Sequence, residues 1–174
     1  MRRPRSAADN WVAIDGSRIG IDSDVYAAIG DDGIRYVAPA TDAAEFAIAY
    51  REYCGGSVKP GDADEFSDEI TAIVTGEDAA ALCDLGAVST FTRRVLTETC
   101  GIARGETRTY QWLARQIGMP DATRAVGNAL GSNPLPLVIP CHRIVRGDGS
   151  VGGYAFGTRM KTALLESEGA LVAT

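Results

Sequence analysis

The chain has 174 residues, 45% of them hydrophobic and 23% charged, with a formal net charge of −6; that is enough chain to bury a core without disulfide or metal staples. No run approaches the ~20 apolar residues of a membrane helix, and the basic start Met1-Arg2-Arg3-Pro4-Arg5 leads into polar residues, so neither a span nor a secretory leader is predicted and the cytoplasm is the expected compartment. Charge is unevenly divided: 17 acidic and 7 basic residues over 1–88 give −10, and 6 acidic and 10 basic over 89–174 give +4, so only the second half has the sign that suits a nucleic-acid binder.

Trp11 to Ile14, Asp15-Gly16 and Ser17 to Ile21 read as a hairpin, because Asp-Gly supplies the positive φ angles of a type I′ turn. Val25 to Ile29 and Ile34 to Val37, flanking Gly30-Asp31-Asp32-Gly33, predict a second one. Asp42 with Glu45 three residues on predicts a capped helix. Phe46, Ala49, Tyr50 and Tyr53 keep helical spacing along it, and Gly55-Gly56 ends it. Residues 57–69, rich in Pro, Gly, Asp and Glu, predict an exposed loop, 70–74 a short helix, and 79–88 either a strand or a loop. A domain boundary is expected near residue 87. Only Lys59 and Lys161 stand against 15 arginines, and an acidic, lysine-poor surface is an expectation for a salt-rich cytoplasm.

Phe91 to Cys100 predicts a helix stopped by Gly101. Tyr110 to Ile117 and Ala122 to Leu130 predict two short helices around a tight turn, the helix-turn-helix pattern, which an ordinary helical hairpin also fits. Ala122, Ala125 and Ala129 fall on one face of the second helix, with Gly127 nearby and Arg124 projecting beside them. Small side chains there let the backbone approach another surface closely. Gly131 to Pro136 reads as a rigid turn into Leu137-Val138-Ile139, an apolar run fit for a buried strand that Pro140 ends. Arg143 to Arg146 and Ser150-Val151 predict a hairpin wing, and Thr158 to Glu168 a final helix ended by Gly169.

Cys54, Cys83, Cys100 and Cys141 form no C-x-x-C pair, and with His142 the only histidine no metal site and no cofactor are expected. Cys141 differs from the other three by its neighbour, since an imidazole beside a thiol favours the thiolate. Adjacent residues of an extended strand point to opposite faces. Cooperation of Cys141 with His142 therefore requires the backbone to turn after Pro140, or a water to bridge them. A histidine base usually needs an orienting carboxylate, for which Glu168 is a candidate.

Between about residues 87 and 170 the chain resembles the O6-alkylguanine-DNA alkyltransferases, or methylated-DNA–[protein]-cysteine methyltransferases. The resemblance rests on Gly105-Glu106-Thr107-Arg108-Thr109-Tyr110, Arg124-Ala125-Val126-Gly127-Asn128-Ala129, Asn133-Pro134-Leu135-Pro136, Ile139-Pro140-Cys141-His142-Arg143-Ile144 and Gly152-Gly153-Tyr154, in that order. It implies an α+β fold, with an N-terminal ribonuclease-H-like α/β domain over 1–86 and a C-terminal winged helix-turn-helix domain over 87–174. It implies a monomer that flips O6-alkylguanine out of duplex DNA and transfers the alkyl group once, irreversibly, to Cys141, with O4-alkylthymine left open as a second substrate.

In that resemblance His142, through a water and oriented by Glu168, activates Cys141, and Asn133 braces the turn before it. Tyr110 helps rotate the nucleotide and donates a proton as guanine O6 leaves, and Arg124 fills the gap in the stack. Backbone groups of Cys141, Ile144 and Ala155 read the guanine edge, while Tyr154 and Lys161 line and polarise the pocket. The chain departs from the family at Ile102-Ala103-Arg104, where Ile-Pro-Tyr is frequent, and at Phe156, where small residues stand at the pocket rim. Three other readings compete. An alkyltransferase-like damage sensor lacks the acceptor cysteine that this chain has. A helix-turn-helix regulator leaves the cysteine–histidine pair unexplained, and a cysteine hydrolase leaves the two helices unexplained.

Overall fold

Four strands, β1 (Asp9–Ile14), β2 (Val25–Gly30), β3 (Gly33–Pro39) and β4 (Val58–Pro60), form a sheet in the order β3-β2-β1-β4. The β1/β2 and β2/β3 pairs are antiparallel and β1/β4 is parallel. The structure is a computed structural model that describes residues 8–66, 69–71, 73 and 79–170. Strand β2 is covered on both faces. Val25, Ala27 and Ile29 enter the main core, while Tyr26 and Ala28 enter a second cluster with Phe46 and Tyr50 of α1 (Ala43–Cys54). Alternation along one strand thus feeds two layers.

The second predicted hairpin is present, with Gly30 opposite Gly33 and Asp31-Asp32 as its two-residue loop. The first is not. Asp15 instead accepts from Ser17 N at 2.9 Å and caps a 3-10 turn over Gly16–Ile19, and β1 takes β2 as its partner. Gly16 is needed for close approach rather than for a type I′ turn: a Cβ there would meet Ser23 O at 1.9 Å. Helix α1 starts as predicted. Asp42 accepts from Ala44 N and Glu45 N, and Glu45 reaches back to Thr41 N and Oγ1 at 2.7 Å. Gly55, at φ 72°, closes it.

Residues 57–69 are not all loop, because Val58–Pro60 is strand β4 at the sheet edge, where a proline is tolerated. Of the predicted helix over 70–74, Ile70, Thr71 and Ile73 are helical and the other positions lie outside the described residues. Ala79–Leu82 is a 3-10 turn, and Cys83 bridges to Ile34. An ion network that no sequence pattern announced locks this region. Arg35 donates to Asp9 at 3.0 Å and to Asp84 at 3.0 Å, and the Tyr50 hydroxyl donates to Asp9, which is buried.

The second half contains α2 (Thr90–Thr99), α3 (Tyr110–Gln116), α4 (Thr123–Gly131) and α5 (Thr158–Ser167). Ser89 and Thr109 cap α2 and α3 by accepting from Thr92 N and Trp112 N, each at 3.1 Å. The expected hairpin wing is corrected. Strand β6 (Ile144–Val145) pairs in parallel with β5 (Arg108–Thr109), and the turn over 146–150 is closed by Arg146 N donating to Ser150 O at 2.9 Å. Pairing with β5 draws β6 back onto the start of α3. Val12, Ile14 and Ile34 of the sheet share one core with Val95, Leu96, Leu113, Val126, Ile139 and Leu164. The result is a mixed α+β fold whose halves are joined by buried apolar surface. Among the described residues no helix is long and apolar enough to cross a membrane, and no group of three His, Cys, Asp or Glu side chains is arranged for a metal.

Candidate active site

Leu137 to Ile139 is buried, as its composition predicts, but it is a turn and not a strand. Leu137 has φ 76°, and Ile139 N donates to Leu135 O at 2.8 Å. A short run buried on every side carries no periodicity, so sequence could not separate the two. Asn133 holds the turn with three bonds. Its Oδ1 accepts from Leu135 N at 3.0 Å, and its Nδ2 donates to Ile139 O and to Cys141 Sγ, both at 3.2 Å. Pro140 then turns the chain (φ −79°, ψ 59°) into a 3-10 turn over Cys141–Arg143. The required bend after Pro140 is therefore present. Among the described residues, the side chain hydrogen-bonded to the sulfur is that of Asn133, not His142.

His142 faces Glu168, with Nε2 and Oε1 3.1 Å apart and both side chains almost fully buried. Glu168 lies at the C-cap of α5, where Gly169 (φ 73°) ends the helix. Arg143, to which sequence assigned no role, grips the same carboxylate in a fork: Nε donates to Oε2 at 2.9 Å and Nη2 to Oε1 at 2.7 Å. Its Nη1 donates to Ile102 O at 2.7 Å. Its place beside Cys141-His142 was the available signal. Burial raises the Glu168 carboxyl, but the bonds and charges of His142 and Arg143 outweigh it and hold the group at about 2. Burial pulls His142 below the usual imidazole range, and Glu168 opposes this without cancelling it.

These shifts fix the chemistry of the ring. An ionised Glu168 only accepts, so the neutral imidazole carries its proton on Nε2 and presents Nδ1 as a lone pair. Nδ1 is buried and has no hydrogen-bond partner among the described residues. A base of this kind, oriented from behind by a carboxylate, suits removal of a proton.

Cys141 lines a cavity of about 340 Å³ together with Tyr110, Asn133, Tyr154, Ala155 and Phe156, and with Gly127, Leu130 and Gly131 of α4. Burial raises its thiol, while the Asn133 amide and the Lys161 charge lower it, and the balance remains on the raised side. Cys141 therefore rests as a thiol that needs a base. Burial also raises Cys54 to about 11, Cys83 to about 12 and Cys100 to about 11.

Lys161 is not a lining residue. It is fully buried beneath the cavity wall, donating to Ile144 O at 2.5 Å and Gly153 O at 3.2 Å, with its ammonium 5.9 Å from the Tyr110 ring centre. Burial lowers it to about 8. Of the Ile144 backbone groups, the carbonyl accepts from Lys161, and Ile144 itself is buried. The Tyr154 hydroxyl is buried and lacks a hydrogen-bond partner among the described residues.

Helices α3 and α4 are separated by a turn at Gly118 (φ 70°). On α4, Arg124 and Ala125 are exposed and Ala122 and Gly127 half-buried. Ala129 departs from expectation. It is 4% exposed and packs in the core with Val126 and Leu130, because the inward stripe of α4 runs through it. Gly127 instead faces the cavity, where a Cβ would sit 3.9 Å from the Tyr110 ring.

Residues 90–170 match the family described as 6-O-methylguanine DNA methyltransferase, DNA binding domain. The chain is 34% identical over 149 residues, 84% of its own length and 80% of the relative's, to a methylated-DNA–protein-cysteine methyltransferase of Methanothermobacter thermautotrophicus. Its fold is similar to that of the O6-methylguanine-DNA methyltransferase of the hyperthermophilic archaeon Pyrococcus kodakaraensis, with a TM-score of 0.70, 27% identity and 92% and 99% of the two chains covered. It is similar also to a Mycobacterium tuberculosis OGT solved in complex with DNA, with a TM-score of 0.68, 30% identity and 92% of each chain covered. An identity of 34% spanning at least four-fifths of both chains, on a fold shared with these proteins and with a buried Cys141 lining its cavity, makes the chain a member of the methylated-DNA–protein-cysteine methyltransferase family.

Proposed function

We propose that this protein repairs DNA by transferring an alkyl group from O6-alkylguanine, flipped out of the duplex, to its own Cys141. The observation that carries this reading is a thiol on the wall of a cavity of about 340 Å³, hydrogen-bonded by Asn133 and followed in the chain by a histidine whose Nε2 is held by Glu168. His142 Nδ1 takes the thiol proton, directly or through a water, and Glu168 stabilises the resulting imidazolium. The sulfur attacks the alkyl carbon in line, the carbon–O6 bond breaks, and the guanine takes up a proton for which Tyr110 is the proposed donor. The thioether product offers water no ready leaving group, so each molecule reacts once.

The DNA partner is supported by the net positive second half and by α4, whose exposed Arg124 stands beside small residues. In this reading α3 and α4 are a helix-turn-helix with the 146–150 turn in the place of the wing, Arg124 occupies the place of the extruded base, and Ala122 and Ala125 lie against the DNA. The sheet with α1 is the ribonuclease-H-like unit, 1–86 and 87–174 are the two domains, and no cofactor takes part. The reducing cytoplasm suits a free acceptor thiol. The test is intact-mass analysis after incubation with a duplex carrying O6-methylguanine. One methyl group on Cys141 per protein molecule is expected, and Cys141→Ala remains unmodified. Repeated turnover, or methyl on another residue, would overturn the proposal.

A further inference from the structure

Helix α5 brings Lys161 and Glu168 to the site, while Arg159, Ala163 and Ser167, spaced by four, share another face. Residues 19–22 of the first half lie along that second face. Arg159 Nη2 donates to Asp22 Oδ2 at 2.8 Å, and Ser167 Oγ donates to Ile19 O at 3.3 Å. At Gly20 (φ 79°) the contact is close: a Cβ there would sit 2.7 Å from Ser167 Cβ and 3.8 Å from Ala163 O. A second segment, 102–105, closes on the same helix end. Arg104 Nη2 donates to Ser167 O at 3.2 Å, a Cβ at Gly105 would lie 3.2 Å from Glu168 O, and Ile102 O accepts from Arg143, the other partner of Glu168. Arg104 is one of the positions where the chain departs from its family, and its charge suits the negative end of a helix.

We propose that Gly20 and Arg104 are positioning residues for alkyl transfer, which together fix the last turn of α5 and so hold Glu168 against His142. This rests on the function proposed above. Glu168 stands at the C-cap, and Gly169 ends the helix directly after it, at a place where unbraced helices fray. The backbone of Glu168 must therefore be held from outside the helix. Ile19 is anchored in the main core with Leu164, and Gly20 admits the close approach because it has no Cβ. A methyl group at Gly20 would press on Ser167 Cβ, which no side-chain rotation can move away, so the helix end itself must give. A displacement on the order of 1 Å is enough to weaken a positioned base.

The experiment follows single-turnover methyl transfer from an O6-methylguanine duplex to Cys141 of the full chain, read by intact mass, between about pH 5 and 8. The charged groups facing His142 are Glu168 and Lys161 from α5 and Arg143 from its own turn, and of these only Glu168 raises the imidazole. Retreat of Glu168 therefore lowers it further. Gly20→Ala is expected to slow transfer about tenfold near neutral pH and to move the acid limb of the rate profile to lower pH. Arg104 is exposed, so Arg104→Ala should fold, shift the limb the same way and slow transfer about threefold. Arg104→Lys, which keeps a cation at the helix end, should restore most of the rate. Gly55→Ala carries the same left-handed strain (φ 72°) with nothing within 4 Å, and should keep the wild-type rate and profile. A Gly20→Ala profile matching that of Gly55→Ala overturns the proposal, as does slowing with the acid limb unmoved. Should Gly20→Ala fail to fold, an unmoved limb in Arg104→Ala overturns it. Failure of the wild-type protein to accept methyl on Cys141 would count against the repair function itself, which separates the two outcomes.

Discussion

His142 Nε2 lies 3.1 Å from Glu168 Oε1, and Arg143 holds the same carboxylate through two bonds of 2.7 and 2.9 Å. One buried carboxylate therefore sets the tautomer of the only histidine. Glu168→Gln keeps the shape, removes the charge, and leaves Arg143 without its counter-ion. Methyl transfer to Cys141 should slow by about 100-fold, the lower range for loss of a positioned base. Single-turnover mass kinetics on O6-methylguanine duplex would measure it, and a rate within threefold of wild type would remove Glu168 from the mechanism.

The same carboxylate gives the fold an acid limit. Its pKa in the folded protein, about 2, lies below the ordinary 4.5, so its stabilisation is complete above about 4.5 and is lost as the pH falls toward 2. His142 adds a loss in the same direction at higher pH. Its folded value is depressed by burial, so the unfolded chain takes up a proton first as the pH drops below the ordinary 6.5. Urea midpoints between pH 7 and 3 should fall in wild type, and less steeply below pH 4.5 in Glu168→Gln.

Asn133→Ala removes the donor to Ile139 O and Cys141 Sγ and the acceptor for Leu135 N. A loss of about 1–3 kcal/mol in unfolding free energy is expected from the unpaired buried groups. The Cys141 thiol should also titrate higher, since the amide favours its charged form. The rate of Cys141 alkylation by iodoacetamide against pH would report this, and an unshifted profile would contradict it.

Arg124 is exposed and lies beside Ala125 on α4, away from the cavity lining. Arg124→Ala should slow repair of duplex at least tenfold, the cost of flipping a base being a few kcal/mol, while reaction with the free base changes little. Equal slowing of both would exclude a flipping role.

The Asp9–Arg35–Asp84 network lies outside the active site, and its expected effect is on stability alone. Asp9→Ala leaves the Arg35 guanidinium short of one partner and the Tyr50 hydroxyl without its carboxylate acceptor, and should cost about 3 kcal/mol. Urea unfolding would show it, and the rate with free base should be unaffected.

Elements bounded by capping residues or tight turns were legible in the sequence: α1 through Asp42, Glu45 and Gly55, α3 through Thr109 and Gly118, and the β2–β3 turn through Asp31-Asp32. Those signals are local and act within a few residues. Where pairing is made over long distances, local signals failed. Asp15-Gly16 carried the composition of a hairpin turn but serves a 3-10 turn, and β1 takes β2 as its antiparallel partner instead of residues 17–21. Strand β4 is hidden by loop composition, and its identity comes only from the free edge of β1. Ala129 shared its spacing with Ala122 and Ala125, and the packing of α4 turned it inward.

By itself the sequence marked out the proposed acceptor thiol and its neighbours, since Asn133, Cys141 and His142 fall within ten residues and their motif is local. It also determined that the second half carries the net positive charge. Tertiary structure alone decided how those groups are charged. Glu168 and Arg143 are 25 residues apart, and only folding brings them together out of water, where their mutual bonds outweigh the cost of burial and hold the carboxylate ionised. Only folding, too, carried Phe156 from the pocket rim onto the aromatic cluster of the first half, because apolar contacts form wherever surfaces meet, regardless of distance along the chain.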